Sequence, residues 1–305
     1  LITDGDLRRA FLSGAEKNSS VKGYMKKDAL TLPISASPVE IQKSLSSIIK
    51  HIPLIDLEGN IKDYVSNNHF QRIPLAEPLL SGNEINYVNE CLKTNWISSR
   101  GRFVDEFENS FSNYHNMPHA LAVSNGTVAL SLALEALGIG KDDEVIVPDL
   151  TFAASINAII HAGATPVLVD VNLETWTLDV RQFEEAISQK TKAVMPVHLY
   201  GHPSEMNKIV EIAKRNKLFI VEDCAEALGS KINNTMIGTF GDASCFSFFG
   251  NKTITTGEGG MILFKDQKIA QKARILRDHG MNPERRYWHD VIGYNYRMTN
   301  IQAAI

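Results

Sequence analysis

The chain has 305 residues, 44% hydrophobic and 22% charged, a globular composition long enough for one large or two ordinary domains. A formal net charge of −4 without a basic run argues against a nucleic-acid groove, and no apolar stretch reaches the ~20 residues of a membrane span. The scattered cysteines Cys91, Cys224 and Cys245 lack metal-ligand spacing, so reduced thiols in a cytoplasmic protein are expected, and no metal.

The amino-terminal part reads as a small α+β segment. A helix follows Asp6, and a second runs from Pro38 to about Lys50, with Val39, Ile41, Leu45, Ile48 and Ile49 at helical spacing. Ile52–Asp56 reads as a strand and Leu57–Asn60 as its turn. Composition changes over residues 66–74, and Ser66–His69 reads as a linker. The expected domains are therefore 1–67 and 73–305.

In the second part, helices are predicted over Asn83–Lys93, Val104–Tyr114 and Val128–Leu137. Alternating units follow: strands Glu144–Val147, Pro166–Val171, Ala193–Val197 and Leu218–Glu222, with helices Ala153–His161, Val180–Ser188 and Glu205–Asn216 between them. Continuous β-branched strands alternating with helices predict an α/β domain whose mostly parallel sheet is covered on both faces. Two further strands, Ala243–Ser247 and Gly260–Phe264, bracket Lys252. The chain opens inside what reads as a strand and closes at an incipient helix, Ala303–Ile305, so a fragment of a longer protein is expected.

Ligands of an open parallel sheet sit beyond the carboxyl ends of its strands, and several polar residues fall there. Ser124-Asn125-Gly126-Thr127 precedes a helix and can offer backbone N–H groups and a hydroxyl to a phosphate, or simply cap the helix through Thr127 or Ser124. Phe152, after the next strand, can face a flat ring or pack in the core. Asp223 ends an apolar strand, where a carboxylate is costly unless a cation or good hydrogen bonds meet it. Lys252 follows 29 positions later in a glycine-rich turn, and Ser247 can add a hydroxyl. An amine and a buried acid in this order suit Schiff-base chemistry on a pyridine ring, the acid keeping the ring nitrogen protonated.

From about Ile73 onward the chain resembles the DegT/DnrJ/EryC1/StrS sugar aminotransferases, which have the aspartate-aminotransferase-like fold (fold type I). The resemblance rests on Ile73–Pro78, Thr94–Ser99, Ser124–Thr127, Pro196–Gly201, Glu222–Ala227, Ser247–Gly260 and Gly293–Met298. Trp96-Ile97-Ser98-Ser99 and the lysine segment are most similar to the GDP-perosamine synthase group, which aminates C4 of GDP-4-keto-6-deoxymannose.

The resemblance implies pyridoxal 5′-phosphate as cofactor, linked to Lys252. Asp223 would face its ring nitrogen, Phe152 its ring, Glu226 its 3′-oxygen, and Gly126, Thr127 and Ser247 its phosphate. Asn295 would complete the phosphate site of a neighbouring subunit, which implies a homodimer. The implied partners are a nucleotide-linked sugar (GDP, UDP or dTDP) and an amino-acid donor, glutamate. Trp96, Ser98 and His198 are candidate substrate contacts, although a strand-end histidine is commonly structural. Arg274, Arg277, Arg285 and Arg286 could neutralise a diphosphate or form a solvated basic face, and a carboxyl-terminal small domain is expected to be missing.

Residues 1–67 resemble a CBS-domain pair lacking most of its first repeat, with Thr3 and Asp6 at positions that contact an adenine nucleotide. His69 stands where the second repeat would carry an aspartate, which counts against nucleotide binding there. A competing reading is a non-catalytic nucleotide sensor using the transferase domain as scaffold.

Overall fold

The computed structural model describes residues 2–66 and 76–305. Asn67–His69 of the expected linker and Ile73–Leu75 of the family resemblance lie outside them. Ser66 ends a strand instead of opening the linker. The chain divides into two compact units, Leu1–Leu75 and Ala76–Ile305.

In the first unit, α1 (Asp4–Leu12) starts from a capping box in which Thr3 and Asp6 bond each other. After a short 3₁₀ turn come β1 (Leu32–Pro33), α2 (Pro38–Ser44), β2 (His51–Ile55) and β3 (Ile61–Ser66). The three strands form a sheet in that order, β1 parallel and β3 antiparallel to β2. Ile41, Ile52, Leu54 and Val65 make a small core. Helix α2 is shorter than its apolar spacing predicts. Leu45 turns extended, and the Ser46 hydroxyl accepts the Ile48 and Ile49 N–H groups, leaving Ile48 90% exposed. This local side-chain-to-backbone bonding outcompetes the helix.

The second unit begins with α3 (Glu84–Thr94), α4 (Arg102–His115), β4 (His119–Val123) and α5 (Gly126–Ala136). There follow β5 (Glu144–Pro148), α6 (Ala153–His161), β6 (Thr165–Val169), α7 (Val180–Glu185), β7 (Thr191–Val194), α8 (Met206–Asn216) and β8 (Phe219–Asp223). A small antiparallel hairpin, β9 (Lys231–Ile232) and β10 (Thr235–Met236), leads to β11 (Ala243–Ser247), β12 (Gly260–Phe264), α9 (Gln267–Arg277) and α10 (Asn300–Ala304). Seven strands form the main sheet in the order β4-β12-β11-β8-β7-β5-β6. Only β12 runs against the others.

Strand alternation sends neighbouring side chains into two cores. Ala122, Ile146, Ile220 and Phe246 face α4, α7 and α8, whereas Leu121, Val145, Val147, Val221 and Ile262 face α5, α6 and α9. Helix α5 is apolar nearly all round and buries Leu130, Leu132 and Leu134, as a central covering helix must. Each such side chain stabilises the fold by roughly 1.5–3 kcal/mol. No helix among the described residues is long and apolar enough to cross a membrane.

Glu222 locks the carboxyl end of β8. Its fully buried carboxylate accepts from His198 Nε2 (3.1 Å), Ser244 Oγ (3.0 Å) and the N–H groups of Gly238, Phe240 and Gly241. Burial pushes its pKa up, but these donors outweigh burial and hold it below the usual range. A depressed folded pKa gives stability that is present above the unfolded value and lost as pH falls through the folded one. Glu222→Ala should therefore cost roughly 3–5 kcal/mol near neutrality. Denaturant titrations should show the gap to wild type narrowing in acid, and a gap independent of pH would contradict the assignment.

Candidate active site

Because β4, β5, β7, β8 and β11 run the same way, the segments following them emerge at one edge of the sheet. The antiparallel β12 starts there, with Gly260 opposite Ser247 on one side and Val123 on the other. The turn carrying Lys252 thus lies at that edge too. This arrangement brings Gly126, Thr127, Phe152, Asp223, Glu226, Ser247 and Lys252 to a common rim.

Asp223 is buried, and its oxygens accept from Ser155 Oγ (2.8 Å) and Ala225 N (3.1 Å). Burial raises its pKa and outweighs those bonds and the weaker pull of the Lys252 charge. Ser155 was not foreseen; its signal is a small hydroxyl one turn into α6, otherwise apolar on its buried face. Lys252 Nζ lies 3.6 Å from Glu226 Oε1, while Glu226 Oε2 accepts the Tyr200 N–H at 2.8 Å. Tyr200 adopts a left-handed conformation (φ 51°) at this contact. The pair is part-exposed, so it orders the lysine more than it stabilises the fold.

Gly126 opens α5 against Ser247. A Cβ at Gly126 would come within 2.8 Å of Ser247 Cβ and 3.1 Å of its Oγ, so only glycine allows this approach. The helix cap is neither Ser124 nor Thr127 but Asn125, whose Oδ1 accepts the Val128 N–H at 3.0 Å. The start of α5 and the Ser247 side chain therefore lie side by side at this rim. Phe152 precedes α6 and is 75% exposed, so its ring is not core.

Beside the lysine lies a cavity of ≈ 550 Å³, bordered by Lys252, Thr255, Tyr87, Phe103, Phe107 and Ile305. A larger but open depression of ≈ 800 Å³ lies against His279, Tyr287, His289, Ile292 and Arg297. Of the rim residues, only Lys252 borders the first cavity and none borders the second.

Other expected residues have different fates. His198 is fully buried: Nδ1 accepts the Ser204 N–H, so Nε2 carries the hydrogen given to Glu222. It therefore supports β8 instead of meeting substrate. Glu222 and Cys224 lie close enough to His198 to suggest a metal triad, but both imidazole nitrogens are engaged and burial pushes the Cys224 thiol well up. Trp96 and Ser98 are exposed, their carbonyls accepting from Asn300 Nδ2 and Asn300 N (both 2.7 Å). Arg274 and Arg277 both bond buried Glu108, and the largely buried Arg277 is committed to it, whereas Arg274 stays half-exposed. Arg285 and Arg286 instead lie over Trp288 and Tyr287. Asn295 is exposed, with Oδ1 bonded to Arg297 Nε. In the first unit, Thr3 and Asp6 bond each other and Arg9 takes the other Asp6 oxygen; these bonds, from Thr3 above all, hold the Asp6 pKa at about 2.

A raised folded pKa means that Asp223 weakens the fold as pH rises from the unfolded aspartate value of about 4. Asp223→Asn can keep the Ala225 N–H bond on Oδ1 and, with Nδ2 donating to the Ser155 hydroxyl, a reversed bond to Ser155, without a charge. The cofactor-free variant should melt above wild type at neutral pH, with the difference shrinking toward pH ~4. A variant that melts lower throughout would sink the idea that this carboxylate is held at a cost.

The profile of the DegT/DnrJ/EryC1/StrS aminotransferase family matches residues 78–305. The chain is 58% identical over 233 residues to the GDP-perosamine synthase of Escherichia coli O157:H7, covering 76% of this chain and 64% of that one. To the GDP-perosamine synthase of Caulobacter vibrioides it is 56% identical over 234 residues, covering 77% and 63%. A putative sugar aminotransferase from Streptococcus pneumoniae, in its PLP-form, superposes with a TM-score of 0.72 at 32% identity, over 77% of this chain and 65% of that one. The chain spans just under two thirds of the length of these relatives. With a family match over about three quarters of its length and these identities, this chain belongs to the DegT/DnrJ/EryC1/StrS aminotransferase family.

Proposed function

We propose that this chain forms the cofactor-binding part of a pyridoxal-phosphate-dependent aminotransferase, moving an amino group from glutamate to GDP-4-keto-6-deoxymannose to form GDP-perosamine. The observation that carries this reading is the buried, cation-deficient Asp223 at the same rim as Lys252 and the Gly126–Ser247 contact. The identity to two GDP-perosamine synthases supports the choice of sugar and nucleotide.

The residues fit the cofactor. A protonated ring nitrogen is the cation that Asp223 lacks, glycine at position 126 lets the amino-terminal end of α5 sit against Ser247, and exposed Phe152 offers a face to a flat ring. When bound, pyridoxal phosphate supplies an aldehyde that condenses with amines and a ring that withdraws electrons. Asp223 holds the proton on the ring nitrogen. Lys252 Nζ is the amine that captures the cofactor and moves a proton to or from the reacting carbon of donor or sugar. Glu226 keeps that amine in place, and Ser247 with the first N–H groups of α5 holds the phosphate.

In this reading Asn295 reaches the phosphate of a second copy, so the active unit is a homodimer in the cytoplasm. Trp96 and Ser98 remain the substrate-loop candidates. The helix, strand and hairpin order of the first unit supports a partial CBS pair. The mutual bonding of Thr3 and Asp6 weighs against their use on an adenine nucleotide.

With pyridoxal phosphate, wild type should develop a visible band that borohydride fixes as added mass on the peptide containing Lys252; Lys252→Ala should do neither. Incubation of the wild type with glutamate and a panel of GDP-, UDP- and dTDP-linked 4-keto sugars should give an aminated GDP-sugar by mass spectrometry. Labelling on another lysine overturns the site, and amination confined to a UDP- or dTDP-sugar overturns the substrate.

A further inference from the structure

We propose that Arg297 is a positioning residue that fixes the orientation of the Asn295 amide, leaving Asn295 Nδ2 as an outward donor for a phosphomonoester. This rests on the reading above, that Asn295 completes a cofactor phosphate site.

The segment around Asn295 has backbone support on two sides. Toward α9, the Tyr294 N–H donates to Leu276 O (2.7 Å), the Tyr296 N–H to Arg277 O (3.1 Å), and the His279 N–H to Tyr294 O (2.7 Å). Toward β4, the Ser124 N–H donates to Tyr296 O at 2.8 Å, and Arg297 bridges Val123. This ties the backbone flanking Asn295 to α9 and to the end of β4.

The side chains complete the arrangement. Arg297 Nε donates to Asn295 Oδ1 at 3.0 Å, and Nη2 donates to His279 Nε2 at 3.2 Å. Nη1 lies 2.8 Å from Asp278 Oδ1, an ion pair off the hydrogen-bond axis. Arginine has no acceptor, so only the amide oxygen can face Nε. The amide is thereby kept from flipping, and its NH₂ faces away from the guanidinium on an exposed residue. Two N–H donors on a fixed amide suit an anionic oxygen, and a freely rotating amide would present its oxygen part of the time. Arg297, with each nitrogen directed at its own partner, acts through Asn295 and not as the phosphate ligand.

The test compares the affinity of the full chain for pyridoxal phosphate with that for pyridoxal, which lacks the phosphate, by titration of the visible band. Asn295→Ala should lower the phosphate preference about tenfold, the scale of a lost hydrogen bond to a charged group, with pyridoxal affinity unchanged. Arg297→Leu should lower the same ratio several-fold, and should have no further effect in the Asn295→Ala background. Arg297→Lys, which keeps the charge, should resemble Arg297→Leu and guards against misfolding of the latter. A wild-type ratio in Arg297→Lys, or an Arg297→Leu effect that persists without Asn295, overturns the positioning role. An unchanged ratio in Asn295→Ala, with or without lost GDP affinity, overturns the phosphate reading on which it rests.

Discussion

Two adjacent carboxylates at the end of one strand govern this site. Strand geometry points Glu222 and Asp223 to opposite faces, and both are buried. Glu222 meets five donors and its pKa falls; Asp223 meets two and its pKa rises. The difference is one of supply, since desolvation acts on both and only donors or cations offset it. The first acid therefore holds the fold together, and the second retains an unmet demand for positive charge. A protonated ring nitrogen, as proposed above, would relieve that imbalance, provided the rest of the rim is held still.

Close approach keeps it still. At the edge formed by β4, β12 and β11, the chain runs through glycines where any side chain would collide. A Cβ at Gly260 would meet Asn125 O at 2.6 Å, and one at Gly126 would meet Ser247. The close approach of α5 to β11 and the strand pairing beneath it are thus one packing solution. His198 extends the same stiffness, since its bonds to Ser204 and Glu222 tie the exit of β7 to β8.

A second polar centre supports the far side. Glu108 on α4 accepts the Ala122 N–H (2.9 Å) and pairs with Arg274 and Arg277 of α9, so one buried carboxylate joins both layers of helices across β4. Truncating Glu108 would leave the largely buried Arg277 charge without this partner, which costs more than the pair stabilises. Arg297 repeats this logic beyond α9 with a functional orientation as the result. β4 itself is an edge strand whose open side is occupied at its end by the Tyr296–Arg297 backbone.

Local pattern alone determined a good deal. The alternation of apolar strands with helices fixed the α/β class, because burial on both faces needs continuous β-branched runs that are visible over a few residues. Residues that end such runs, Asp223 and Ser247 among them, were readable as rim residues, and Lys252 stood out between two strands. Tertiary structure decided the remainder. His119–Val123 has mostly small residues and no strong strand signal, so β4 appears only when β12 pairs with it. Helix α2 stops early because Ser46 bonds the backbone ahead of it, a competition that apolar spacing does not register. His198 changed from a possible substrate contact to a buried support, and Arg274 and Arg277 from free cations to partners of Glu108, 166 and 169 positions away. Asn295 was legible as a motif residue, yet the orientation of its amide depends on Arg297, Asp278 and His279 meeting in space. Charge, burial and donor supply at each of these places are set by contacts between distant segments, and one-dimensional spacing does not contain them.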